Sequence, residues 1–470
     1  MSADKVFEFF EEISRIPRCS YNEEKIASYL LAFAREKGLK AIKDEYNNVT
    51  IIREASEGYE DKPGIILQGH IDMVCEKVKG SKHDFSKDPI ELIYDGNYLR
   101  ANGTTLGADN GIAIAMGLSI LSKEDLKAPR IEFVATATEE TGLVGATNYP
   151  TDLLKGKYFI NIDSEEEGIL IAGCAGGMDI DLKYEIDRKP VEGNVYSLLV
   201  HNLKGGHSGM SIHEKLLNAI KSGGQILDTI RKENEIKIIK ISGGTKHNAI
   251  PREFEVDFVS KEELGPEIYM EDYRQLKEIE DNIEIDLTQV GYKKVEAFTE
   301  DLTNRLIDAI TKIPHGVKSY MEGEYSDIVE SSLNLAIVDT KENTVDFKIS
   351  ARSSKNDKKE KISDEIHTIA NETKGEFIQS SSYKAWEFKE ESPLRDIAVK
   401  SYKEYTGENL EVSVIHAGLE CAIFAEKYPN IDTISIGPNI LKVHTPEEKL
   451  DIESTKRTYD FVEFLINKLS

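Results

Sequence analysis

Five side chains of metal-ligating type, His70, Asp109, Glu140, Asp163 and His444, fall where folded strands would end or a helix would begin. Imidazole and carboxylate together suit zinc, and equally cobalt or manganese. Five ligands serve two ions when each ion takes two terminal ligands and one carboxylate is shared. That leaves each ion an open position. Two ions about 3.5 to 4 Å apart polarise a carbonyl and lower the pKa of a bridging water. Asp72 comes two residues after His70, the spacing that puts side chains on one face of an extended chain. Its carboxylate is placed to take the free ring N–H of His70 and fix the tautomer. Glu139 precedes Glu140, so one carboxylate can bind metal while its neighbour acts as general base, taking a proton from water and passing it to a leaving amine.

Each of these signals is weak alone. A histidine after a strand is commonly an ordinary polar residue, as expected of His83, His315 and His367. Paired glutamates are usually surface, and an aspartate after a strand is commonly a turn residue or helix cap. Their shared placement gives them weight. The apolar run 65–67 precedes His70, a strand at 131–135 precedes Glu139 and Glu140, a strand at 158–162 precedes Asp163, and one at 433–436 precedes His444. Asp109 lies in GADNG, at the start of an apolar, Ala-rich helix over 112–121. In open α/β sheets, ligands bind at the carboxyl edge of the strands.

The elements that must carry these residues follow from periodicity. Val6, Phe9, Phe10 and Ile13, then Ile26, Tyr29, Leu30 and Phe33, recur at helical spacing within residues 1–40. From about 46 to 180, strand, loop and helix alternate, which argues for a layered α/β sheet. Around 180 the texture changes: strands at 179–188 and 195–203, a helix at 212–231, and strands near 236–241 and 252–260. A second set over 283–382 includes a helix at 299–312 and a strand at 345–350. This middle part reads as one inserted α+β domain, with a faint suggestion of internal duplication. From Trp386 onward helices at 393–406, 417–427 and 452–469 and the strand at 433–436 return to the first pattern. The Lys/Glu-rich stretch 355–361 reads as a solvated loop or helix face. The division expected is 1–180 with 385–470 as one domain and 181–384 as the other.

A chain of 470 residues is too long for one ordinary core. Its formal net charge of −26, with Lys and Arg dispersed among acids, speaks against nucleic-acid binding and against an anionic membrane surface. No apolar stretch reaches the roughly 18 residues of a transmembrane helix. The opening MSADKVFEFFEEISRIPRC has no basic segment followed by an uninterrupted apolar run. A cytoplasmic location is expected. Cys19, Cys75, Cys174 and Cys421 are far apart without CxxC spacing, which suits thiols in a reducing compartment better than a disulfide framework.

The segments LQGHIDMV, TTLGADNGIAIAMG, ATEETGLVGA, NIDSEEEG, LKGGHSGMSIH, HNAIPRE, HAGLECAIF and SIGPNILKVHTPEEKL resemble those of the aminoacyl-histidine dipeptidases, also called Xaa-His or cytosolic non-specific dipeptidases, which are related to the carnosinases. The resemblance runs from about Phe7 to Leu469. It implies an α/β di-zinc peptidase catalytic domain, a mixed sheet flanked by helices, with an inserted α+β lid domain. It also implies two zinc ions per subunit, with cobalt or manganese as substitutes, a small peptide substrate, and a homodimer. Carried over by motif, His70 and Asp163 hold one ion, Glu140 and His444 the other, and Asp109 bridges them. Asp72 and Glu139 match the two catalytic acids. His207 in GGHSG resembles an oxyanion-stabilising histidine. Asn248 in HNAIPRE and Arg352 in ISARSS are candidates to grip the substrate carboxylate, a task suited to a planar guanidinium. His416, Gly418 and Glu420 in HAGLE would line the pocket, with Glu420 facing a free amine. One departure is Cys75, which stands where proline often follows GHIDMV in the family. Alternatives to a dipeptidase are a tripeptidase or N-acyl amino-acid deacylase of the same group, an inactive peptide-binding homologue, and a structural oligomer.

Overall fold

Central strands covered on both faces must be apolar throughout, and the run beginning at Ile65 forms such a strand. Ile65–His70 is buried along its length and pairs in parallel with Ile131–Thr136 on one side and Tyr158–Ile162 on the other. Tyr158–Ile162 in turn pairs in parallel with Asp432–Ile436. These four strands point the same way, so their carboxyl ends share one edge. Lys40–Lys43 and Val49–Arg53 extend the sheet beyond Ile131–Thr136, and Ile169–Cys174 and Glu411–Ile415 extend it beyond Asp432–Ile436. This is the mixed α/β sheet that the strand–loop–helix alternation predicts. The helices Ser2–Ser14, Ala108–Leu121, Pro393–Thr406 and Ile452–Leu469 contribute to its apolar core.

The computed structural model describes residues 2–470. They divide into two units: residues up to Gly173 with Phe388–Val414 and Leu419–Ser470, and Cys174–Glu387 with Ile415–Gly418. The second unit is built on an antiparallel sheet in the order Glu284–Phe298, Arg188–His201, Phe254–Ser260, Ile236–Gly243, Val329–Thr340, Thr344–Ser353, Gly176–Glu185, Glu376–Ser382. Ala219–Glu233, Glu300–Lys312 and Asn356–Thr373 bury their apolar faces in its core. Among the described residues no helix is long and apolar enough to cross a membrane.

The helix Ala108–Leu121 is buried at every position. Gly117 lets it lie close to the sheet, since a Cβ there would stand 2.3 Å from the Phe133 ring. Its first turn is irregular: Asp109 and Asn110 have non-helical backbone angles and are joined by a cis peptide bond.

Three sequence expectations are corrected. The helix placed at 212–231 runs from Ala219 to Glu233, because Asn218 leaves the helical region and its side chain accepts from the N–H groups of Ile220 and Lys221, a helix N-cap. The lysine-rich stretch 355–361 is not uniformly solvated: Lys359 is buried in the helix Asn356–Thr373, with Nζ donating to Ser382 Oγ and the Tyr383 carbonyl. The cysteines are not all thiols. Cys19 and Cys75 form a disulfide with their Cα atoms 5.8 Å apart, while Cys174 and Cys421 are buried. Residues 15–23 separate the two N-terminal helices and return against the segment after His70, where Met73 N–H donates to Arg18 O. That proximity leaves no trace in cysteine spacing.

Candidate metal centre

His70 ends its strand and is buried. Its backbone N–H donates to Asn110 Oδ1, and Asn110 Nδ2 donates to Ile162 O at the end of the neighbouring strand. One amide side chain thereby ties the segment carrying Asp109 to the strands carrying His70 and Asp163. His70 Nδ1 lies 3.2 Å from the Asp72 carbonyl and 3.4 Å from Asp72 Oδ1, and Nε2 lies 3.1 Å from Asp109 Oδ1. The other Asp109 oxygen, Oδ2, lies 3.1 Å from His444 Nε2, which is also 3.0 Å from Glu140 Oε2. One carboxylate is therefore flanked by two imidazoles, one on each oxygen. His444 reaches it from a backbone at φ 62.

Asp72 does more than orient His70. Its Oδ1 accepts the N–H of Glu139 at 2.9 Å, and its Oδ2 accepts the N–H of Glu140 at 3.3 Å and the hydroxyl of Ser20 at 2.8 Å. Burial opposes its charge, but His70 and these donors hold it below the usual carboxylate range. Arg18, fully enclosed, donates to the carbonyls of Ile71, Asp72 and Gly107. Sequence reasoning found neither Arg18 nor Asn110. Both act on backbone groups, for which residue spacing carries no signal.

The electrostatics are those of too many acids for the bases present. Burial pushes the carboxyl groups of Glu139 and Asp163 well above their usual range and raises Glu140. Glu165, two residues past Asp163, is pushed up to about 8, by burial first and then by Asp109. Asp109 is held low by His444 and His70 against the effect of burial. Burial opposes protonation of His70, yet its bonds to Asp109 and Asp72 carry it well above its usual value. The bonds of His444 to Asp109 and Glu140 carry it up to about 11. Glu140 Oε1 and Asp163 Oδ1 are buried without a hydrogen-bond partner. Such atoms cost about 1–3 kcal/mol each, and more when charged. Ligand atoms of His70, Asp109 and Glu140 lie within 4.8 Å of one another. The donor set and its orphaned oxygens fit divalent cations. Asp163 follows Ile162 at the same sheet edge but stands outside that tight group.

The candidates of the second unit also meet. Adding a Cβ to Gly209 would bring it 2.7 Å from His416 O and 3.3 Å from Arg352 Nε and His207 Cε1. His207 Nδ1 accepts the N–H groups of Gly209 and Met210, so in the neutral ring the proton is on Nε2. Arg352 Nη1 lies 3.5 Å from Tyr383 Oη, and its Nε is buried with no hydrogen-bond partner. His416 Nε2 lies 2.7 Å from Ser332 Oγ. Burial, then Arg352, pushes this imidazole down to about 3, so it is neutral. Gly418 faces Tyr383, whose hydroxyl would be 2.5 Å from a Cβ there. Tyr383 was missed by the sequence analysis. Asn248 joins the group through its carbonyl, which accepts the N–H of Ser208.

Glu420 belongs to the first unit and is fully buried. Its Oε2 accepts from Gln68 Nε2 at 2.5 Å and Thr136 Oγ1 at 2.6 Å, and burial pushes it up to about 7. Its other oxygen, Oε1, is buried without a hydrogen-bond partner.

Comparison with known proteins adds a family to this geometry. The profile described as peptidase family M20/M25/M40 matches residues 66–468. The cytosol non-specific dipeptidase of Escherichia coli (strain K12) is 34% identical over 480 residues, which span 100% of this chain and 98% of that protein. The crystal structure of aminoacylhistidine dipeptidase from Vibrio alginolyticus matches with a TM-score of 0.86 at 34% identity, covering 98% of this chain and 96% of that one. A Staphylococcus aureus tripeptidase matches with a TM-score of 0.59 at 17% identity, over 99% and 98% of the two chains, a likeness of fold.

Replacing Asp72 by Ala leaves the N–H groups of Glu139 and Glu140 and the Ser20 hydroxyl without their acceptor, while the backbone carbonyl at 72 still faces His70 Nδ1. The expected cost is roughly 1–3 kcal/mol for each buried donor left unpaired, read as a lower midpoint in urea unfolding. An unchanged midpoint would show that Asp72 does not organise this segment.

Proposed function

The chain belongs to peptidase family M20/M25/M40, and from that membership we propose that it hydrolyses unblocked dipeptides, Xaa-His among them, with two divalent ions. The observation that carries the proposal is the Asp109 carboxylate, with His70 Nε2 at one oxygen and His444 Nε2 at the other, each at 3.1 Å. In this reading His70 and Asp163 would hold one ion, Glu140 and His444 the second, and Asp109 would serve both. Zinc is the assigned metal, and cobalt or manganese would accept the same donors. When bound, such ions polarise a carbonyl and acidify a water.

The chain's own groups supply the rest. Glu139 takes the proton of the attacking water and returns it to the departing amine. Burial raises this carboxyl group above the usual range, and a carboxyl group within reach of water and amine can carry the proton between them. Asp72 holds the His70 ring and the backbone on which Glu139 and Glu140 are mounted. In the second unit, His207 carries an Nε2–H suited to a developing negative oxygen. Arg352, its Nε buried without a partner, is suited to a carboxylate, with His416 and Gly418 near it and Asn248 held beside His207 by its carbonyl bond to Ser208.

The test is a substrate panel with metal-free protein reloaded with zinc, cobalt or manganese. Dipeptides, β-alanyl-histidine included, should be cut, and Glu139→Gln should lower kcat by about 10²–10⁴-fold with metal content unchanged. Preference for tripeptides or N-acyl amino acids would assign the chain to a different substrate class within the group. Loaded, folded protein that leaves every small peptide intact would end the proposal.

We also place the chain in the cytoplasm, since the E. coli relative is a cytosol dipeptidase. In a reducing compartment the half-buried Cys19–Cys75 pair would be dithiol. Alkylating intact cells before lysis should then modify Cys19 and Cys75 as separate thiols. A bridge that survives this trapping would place the protein in an oxidising compartment.

A further inference from the structure

The segment 106–109, which delivers the shared carboxylate, directs four successive backbone N–H groups at one side chain. Glu448 Oε2 accepts from Leu106 at 2.8 Å and Gly107 at 3.0 Å, and Oε1 accepts from Ala108 at 2.8 Å and Asp109 at 3.2 Å. Glu448 is 2% exposed, so water does not share these bonds. Burial raises the Glu448 carboxyl to about 7 while these N–H donors act in the opposite direction, and each bond is stronger to the ionised form than to a neutral one. The regular helix cannot satisfy these N–H groups: Leu106 and Gly107 precede it, Ala108 and Asp109 open its first turn, and the backbone departs from helical angles at Asp109.

The opposite side of the same loop is also held. Arg18 Nη2 donates to Gly107 O. A Cβ at Gly107, whose φ is 72, would stand 2.5 Å from Arg18 Nη2 and 2.7 Å from Met73 Sδ. Only glycine fits there, and the loop cannot shift toward Arg18 without a clash. Glu448 thus presses on the N–H face of a loop whose carbonyl face is already closed.

Glu448 comes four residues after His444 and lies in the same hairpin. Ile440 pairs with Leu450 and Leu441 with Lys449, Glu448 N–H donates to Thr445 O, and Lys449–Asp451 is fixed to Tyr98–Ala101. One hairpin therefore supplies an imidazole to one Asp109 oxygen and an anchor to the backbone that carries Asp109.

We propose that Glu448 is a positioning residue of the metal centre: it locks loop 106–109 to the His444 hairpin and so fixes Asp109 between two imidazoles. The proposal rests on the metal-centre reading given above. It requires a carboxylate. Glutamine keeps one acceptor oxygen, and its amide nitrogen would set N–H against two backbone N–H donors. Aspartate keeps the charge but is one methylene shorter, so it cannot reach all four groups.

Metal-free wild type, Glu448→Gln, Glu448→Asp and Glu447→Gln can be titrated with Zn2+ against a competing chelator. Thermal unfolding of the metal-free forms and absorption spectra of the cobalt-loaded forms complete the comparison. Glu447 is exposed on the same hairpin and pairs with Lys442, so its variant should match wild type. Glu448→Gln should bind zinc about 10–100-fold more weakly, with an altered cobalt spectrum and a fall in kcat larger than any rise in KM. Glu448→Asp should lie between Glu448→Gln and wild type, and it carries the test if Glu448→Gln does not fold. A lower unfolding temperature with wild-type zinc affinity and cobalt spectrum would make Glu448 a stabilising residue only and overturn the proposal. Wild type that takes up no zinc would overturn the metal-centre reading itself, and the role of Glu448 with it.

Discussion

One carboxylate, that of Asp109, is shared between His70 and His444, which are 374 positions apart in sequence, and the first unit is arranged around that sharing. The four central strands run parallel, so the chain segments following Ile65–His70, Ile131–Thr136, Tyr158–Ile162 and Asp432–Ile436 emerge at one edge. Side chains that arrive there along different strands can meet without any one segment carrying the whole site. Asp109 comes from a different direction, on the irregular first turn of a helix buried on every side. Its position depends on the bonds that hold this segment: Glu448 accepts the N–H of Asp109 itself, Arg18 donates to the Gly107 carbonyl, and the Asn110 side chain joins His70 N–H to Ile162 O.

Gathering acids at a buried edge carries a free-energy cost, and the structure meets part of it internally. Asp72 is satisfied by the N–H groups of Glu139 and Glu140 and by Ser20, and Glu448 by four N–H groups. Arg18 keeps its charge although burial lowers its pKa to about 10, with Glu448, Asp72 and Asp109 acting in the opposite direction. Glu140 Oε1 and Asp163 Oδ1 have no such partner. A buried carboxylate left uncompensated either loses its charge or finds a cation. Two ions would restore charge balance where the protein supplies no further cation of its own. Removing either imidazole would leave buried carboxylates without their partner, at a cost above that of the single contact.

Much of the site is legible in the sequence, and the reason is specific. Apolar runs such as Ile65-Ile66-Leu67 announce buried strands, and a histidine or acid immediately after such a run is placed by the strand itself. His70 and Asp163 stand out in this way, Glu140 and His444 lie four and eight residues past their strands, and the helix after Asp109 marks the fifth candidate. What escapes is of another kind. Arg18, Asn110 and Glu448 act on carbonyl and N–H groups, which every residue possesses, so no residue pattern reports them. Cys19 and Cys75 meet because a loop between two helices folds back, a tertiary event that spacing does not encode. Glu420 sits at a loop–helix junction as expected, but the sequence does not say that it points down into Gln68 and Thr136. The helix start at Ala219 depends on the Asn218 cap, which periodicity over 212–231 passes over.

The most direct measurement of the central claim is anomalous diffraction from crystals soaked in zinc. Two peaks are expected, about 3.5 to 4 Å apart on either side of the Asp109 carboxylate, one against His70 and the other against His444 and Glu140. A single peak bound by both histidines, or zinc found away from Asp109 altogether, would contradict the account.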